Sequence, residues 1–227
     1  MKTPFLAIAL ASLAFSVQAA NVAGTSSAVF NNPLTPNTVY SGVGTNSFDW
    51  GTALRGENKL TFTGTHFSAG LNKPFKLGSF SYTNGTTLSG TNPDSVDLTT
   101  FLNFSDAALP TMEASFRLDL TNTPNSRNAR ASADYVNFEQ NTSSSQFIIG
   151  GMAYTVKISG FDHVRGAGFL SSNGTQFHVM EGHRASADVY GVVTAAPVPE
   201  AETWAMTLAG LGLLSLLARR RQKTRLH

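Results

Sequence analysis

The chain has 227 residues, 16 Lys and Arg against 14 Asp and Glu, 13% charged residues and no cysteine. Without thiols there are no disulfides, thiolate metal sites or cysteine nucleophiles, so packing and hydrogen bonding must hold the fold. Six of the basic residues (Lys2, Arg219, Arg220, Arg221, Lys223, Arg225) and two of the acidic ones (Glu200, Glu202) lie in the end segments. That leaves ten against twelve, a middle of charge −2, and no electrostatic support for nucleic-acid binding.

At the N-terminus, Met1-Lys2-Thr3-Pro4 precedes an apolar run from Phe5 to Val17 and then Gln18-Ala19-Ala20. One positive charge, a short apolar stretch and small residues at its end are the parts of a secretory signal peptide. Cleavage is expected after Ala19, with Ala20 as the alternative, so that residues 1–19 are removed. The run is too short to span a bilayer comfortably.

Residues 20–197 have the length of one ordinary domain, rich in Ser, Thr, Asn and Gly. Its first twenty residues read as an irregular, Pro- and Asn-rich leader. Beyond them apolar residues recur with period two, the mark of a half-buried strand. This occurs at Leu60-Thr61-Phe62, at Phe75-Lys76-Leu77, over Phe116, Leu118 and Leu120, over Met152, Tyr154, Val156 and Ile158, and at Phe177-His178-Val179. Turn signals lie between them at Asn84-Gly85, Asn92-Pro93, Thr123-Pro124-Asn125, Gly150-Gly151 and Asn173-Gly174. Gly150-Gly151, between Phe147-Ile148-Ile149 and the Met152 segment, predicts a tight hairpin. The natural solution is all-β: an antiparallel β-sandwich, jelly-roll-like, whose last strand ends near Val193 and hands over to a linker from Thr194 to Pro199.

The C-terminus carries Val198-Pro199-Glu200, then the apolar residues 203–218, then Arg219-Arg220-Arg221. As a helix, residues 203–218 cover about 24 Å at 1.5 Å per residue, less than a bilayer core of about 30 Å. The arginines form a membrane stop that stays on the cytoplasmic side and leaves the domain on the outer face, with Trp204 at the interface. This order of parts over 198–227 strongly resembles the PEP-CTERM sorting signal, in which Pro-Glu-Pro is recognised by exosortase, an integral membrane enzyme. Pro199 and Glu200 match, and Ala201 stands where that family has its second proline.

Blocks of the middle resemble a second family, the choice-of-anchor K domain: residues 41–51 around Phe48-Asp49-Trp50-Gly51, residues 74–85 around Phe80-Ser81-Tyr82, Ser95-Val96-Asp97-Leu98, Ala131-Ser132-Ala133-Asp134-Tyr135-Val136, and Phe177-His178-Val179-Met180-Glu181-Gly182. The resemblance implies an extracytoplasmic domain placed ahead of varied sorting signals; it brings no catalytic residues.

The remaining candidates for chemistry are thin. His178, Glu181 and His183 lack the His-Glu-x-x-His spacing and read as an exposed polar strand edge, with His178 and Glu181 on opposite faces. Asp49, Asp94, Asp97, Asp134, Asp162 and Glu181 could serve calcium, but none forms an Asp-x-Asp-x-Asp loop. No motif pairs two carboxylates as a glycosidase needs, no Gly-x-Ser-x-Gly elbow occurs, and Gly42-Val43-Gly44 lacks the rest of a nucleotide loop. Trp50 with Tyr40, Tyr82, Tyr135, Tyr154 and Tyr190 could form a sugar-stacking platform, Trp50 first, against a default role in the core or at strand edges. The expectation is an exported, non-enzymatic surface or matrix protein without a cofactor, sorted by an exosortase-type enzyme, tethered transiently to the membrane, and a candidate partner of exopolysaccharide. The alternative is a glycan-binding module or carbohydrate-active enzyme built on a lectin-like sandwich.

Overall fold

The computed structural model describes residues 21–35, 38–144, 146–149, 151–198 and 207–215. In chain order the strands are β1 (Asn21–Leu34), β2 (Tyr40–Ser41), β3 (Ser47–Trp50), β4 (Ala53–Arg55), β5 (Asn58–Gly64), β6 (His66–Gly70), β7 (Pro74–Asn84), β8 (Thr86–Thr87), β9 (Ser95–Phe104), β10 (Met112–Thr121), β11 (Asp134–Ser144), β12 (Gln146–Ile149), β13 (Met152–Arg165), β14 (Phe169–Ser172), β15 (Gln176–Val179) and β16 (His183–Pro197). One seven-stranded antiparallel sheet has the order β14-β15-β11-β10-β9-β1-β6, and a second has β12-β13-β16-β7-β5-β3-β2; β4 and β8 form a separate ribbon.

Aromatic side chains from both sheets interdigitate and make the fold a sandwich. Phe30 of β1 meets Phe48 of β3 at 6.0 Å between ring centres and Phe80 of β7 at 6.5 Å. Phe177 of β15 packs on Phe80 and on Phe161 of β13, and Phe138 of β11 lies 4.1 Å from Phe161. Phe67 of β6 and Phe75 of β7, 4.9 Å apart, close one margin of the layer. Each ring removes a large apolar area from water, and tilted pairs at these separations add to that burial.

Strand β1 replaces the expected leader. Its inward residues are Val22, Gly24, Ser26, Ala28 and Phe30, mostly small, so hydrophobic alternation is muted. The small side chains have a cause. A Cβ on Gly24 would stand 2.1 Å from the carbonyl oxygen of Asn103, and one on Gly64 would stand 1.9 Å from that of Ser26. Ser26 Oγ donates to a backbone carbonyl and accepts from Thr65 N at 3.0 Å, stitching β1 to the β5–β6 corner.

The Gly150-Gly151 hairpin is present: Ile149 pairs with Met152 and Phe147 with Tyr154. Strand β16 overruns its expected end near Val193, with Thr194 paired to Thr155 and Pro197 to Met152. A proline is tolerated there because β7 begins at Pro74, opposite Val192, so beyond that point one edge of β16 has no paired strand among the described residues.

A helix covers residues 207–215, inside the expected 203–218, with Leu208, Leu211, Leu213 and Leu214 exposed. Among the described residues no helix is long and apolar enough to cross a membrane. Produced alone, residues 20–197 are expected to give a β-type circular-dichroism spectrum that a chelator leaves unchanged. A helical spectrum, or loss of structure on chelation, contradicts that expectation.

Candidate functional site

The sequence-derived sorting residues meet the described structure at Val198. Its N–H donates to the Gly151 carbonyl at 2.8 Å, so the motif leaves the domain from the tip of the β12–β13 hairpin, and the linker expected from Thr194 onward is strand as far as Pro197. Ala19, Ala20, Pro199, Glu200, Arg219, Arg220 and Arg221 lie outside the described residues.

A polar cluster that local sequence does not announce sits at the opposite end of the sandwich. Tyr82, fully buried on β7, points its hydroxyl at Asp134 Oδ2 at 3.4 Å, where β11 begins. Asp134 Oδ1 accepts from Thr123 N at 2.7 Å and from Thr123 Oγ1 at 3.1 Å. Asn84, also fully buried, donates Nδ2 to the Val179 carbonyl at 2.9 Å. Glu181, in the turn between β15 and β16, is 9% exposed; it accepts from Thr86 Oγ1, and its N–H donates to the Ala129 carbonyl at 3.0 Å. Burial pushes Asp134 up to about 7, against its Thr123 hydrogen bonds, with the nearby Glu181 charge adding to the rise. Burial likewise raises Glu181, and raises Tyr82 well above its ordinary value, helped by both carboxylates. In front of Glu181 a pocket of about 570 Å³ is lined by Arg55, Thr86, Ser126, Arg127 and His183.

The Asp134 shift sets the sign of a pH dependence. Its folded value near 7 lies above the ordinary 3.8, so between those pH values the native state keeps a proton that the unfolded chain has released. Stability therefore falls as pH rises from about 4 to 7 and levels off above. Asp134→Asn is expected to flatten that window. Urea midpoints of the two proteins measured from pH 4 to 8 check it; parallel curves overturn it.

The candidate metal and aromatic residues end elsewhere. His178 stacks on Tyr135 with 3.8 Å between ring centres, and burial lowers its pKa. His183 directs Nδ1 to the Glu181 carbonyl oxygen at 2.8 Å. Glu181 is not on an exposed edge, because β15 stops at Val179 and the chain around Ala129 covers it. Among the described residues no three His, Asp or Glu side chains gather to hold a metal. Trp50 is 4% exposed, sandwiched between Phe48 at 5.7 Å and Tyr82 at 5.6 Å, and so belongs to the core. The acids likewise serve structure: Asp97 takes Arg117 Nε at 3.2 Å, and Asp188 is held by Lys76 at 2.9 Å and Arg165 at 3.0 Å.

Fold and C-terminus together define a β-sandwich domain with an appended terminal signal. That signal is a PEP-CTERM protein-sorting motif, matched over residues 197–222, and it marks the chain as an exported protein processed by exosortase from a membrane-anchored precursor. No curated protein matches the chain.

Proposed function

We propose that the chain is a non-enzymatic surface or matrix protein. Its signal peptide is removed after Ala19 or Ala20, its tail is cut near Pro199-Glu200, and the choice-of-anchor K-like domain 20–197 is delivered to the cell surface or an exopolysaccharide layer. The observation that carries this reading is the sorting motif following directly on the last strand. The repeated passage of the chain between the two sheets fits jelly-roll-like winding. Intact-mass measurement on material from the native host is expected to show an N-terminus at Ala20 or Asn21 and loss of the segment beyond Pro199. Surface material extending to His227 overturns the processing.

The non-enzymatic reading draws support from how the acids are placed. Four pockets formed by the described residues each have one acid in the wall, Glu139, Asp162 in two of them, or Glu181. Asp119 is raised by burial, with the neighbouring Glu139 adding to the rise. A glycan-binding role is the second reading, favoured by the Glu181 pocket, whose Arg55 and Arg127 can donate to sugar oxygens beside Ser126. A polysaccharide pull-down with the wild-type domain and an Arg55→Ala/Arg127→Ala variant decides it: retention lost in the variant supports this reading, and equal retention removes it.

A further inference from the structure

Strands β12, β13 and β16 extend beyond the rest of their sheet as a finger. The last partner of β16 on β7 is Pro74, opposite Val192, and Asn72 of the β6–β7 turn donates its N–H to the Val193 carbonyl at 2.8 Å. Past that turn β16 continues to Pro197 with β13 alone beside it, a projection of about 14 Å. Its base is rigid: Phe147 stacks on Tyr154 at 4.9 Å and abuts Phe104 of the other sheet at 6.4 Å.

The tip is apolar on both faces. Register puts Phe147, Ile149, Met152, Tyr154 and Pro197 on one side, and Ile148 with Ala153 and Ala196 on the other. Ile148 is 60% exposed and Ile149 37%. No charged residue occurs from 140 to 156 or from 189 to 199. An element packing against protein needs one greasy face; one entering a lipid interface is served by both.

The direction of the chain supplies the occupant. Val198 leaves from this tip, and the eight residues 199–206 before the described helix can reach at most about 30 Å. In the membrane-anchored precursor the finger is therefore the part of the domain nearest the bilayer. We infer that the β12–β13 hairpin tip, through Ile148, Ile149 and Met152, rests in the lipid interface of the precursor and holds Pro199-Glu200 at the membrane face for cleavage. This rests on the sorting reading above.

Because the chain has no cysteine, single-cysteine variants take one label each. Full-length precursor carrying Ile148→Cys or Ile149→Cys with an environment-sensitive fluorophore is reconstituted in phosphatidylethanolamine and phosphatidylglycerol vesicles. Leu88→Cys, an exposed apolar position just after β8 at the opposite end, serves as control. The expected result is blue-shifted emission, quenched by acyl-chain nitroxide lipids at 148 and 149 and unquenched at 88. Aqueous, unquenched emission at all three positions overturns the inference. Shielding at 148 and 149 that arises only when exosortase is added overturns it too, and assigns the finger to that enzyme. An Ile148→Ser/Ile149→Ser precursor is expected to be released from the host membrane several-fold more slowly; release at the normal rate overturns the finger's part in cleavage. The vesicle readout involves no cleavage, so an error in the sorting reading shows separately, as normal release of a Pro199→Ala/Glu200→Ala protein.

Discussion

Replacing both Pro199 and Glu200 with alanine is expected to keep the protein in the membrane fraction, with its apolar helix attached, while the thermal midpoint of the domain stays where it was. The two halves of that outcome have separate causes. The register of β16 ends at Pro197, with one further bond from Val198 N to Gly151, so the bonds that hold the described sheet are made before either altered position. A proline fixes its own φ and restricts the residue before it to extended backbone, and alanine removes both constraints. Fractionation of the native host followed by intact-mass analysis measures the first half, and calorimetry of the domain the second. Release at the normal rate would mean that residues 197–222 act as an anchor alone.

Phe80→Ala is expected to cost about 3–5 kcal/mol, enough to consume much of the stability of an ordinary domain. Phe80 is fully buried on β7, and its ring touches Phe30 and Phe177 from the facing sheet and Phe161 from its own. Removing it opens a void bordered by three large rings that cannot all move inward without breaking their register. Urea unfolding read by tryptophan fluorescence measures the loss, since Trp50 lies in the same layer. A change under 1 kcal/mol would show that the sheets collapse freely onto the gap, contrary to the close packing described.

Where strands alternate large apolar and polar residues they are legible in the sequence, as in β10, β13 and the Gly150-Gly151 hairpin. Strand β1 is not, because its inner face carries the small residues Gly24, Ser26 and Ala28: the Asn103 carbonyl of β9 closes on Gly24, and the β5–β6 corner closes on Ser26. Trp50 misleads for a different reason. Asp49 and Gly51 beside it look like a surface turn, although Phe48 and Trp50 already share the inward side of a period-two strand. The environment of Glu181 is non-local. It is covered by chain more than fifty residues earlier, through the bond to Ala129, and no window of sequence around it carries that information. The sorting tail is legible because its meaning lies in the order of its parts.

Strand β16 also determines how the domain bears load. It is hydrogen-bonded to β13 from Ser186 to Pro197 and to β7 from His183 to Val192, and the tether leaves from its C-terminal end. A pull from the membrane on Val198 runs parallel to the strand and perpendicular to the bonds that hold it, so many must shear together before the strand can slip. Drag from the surroundings on an unprocessed molecule is thus met in the direction in which a sheet resists force best.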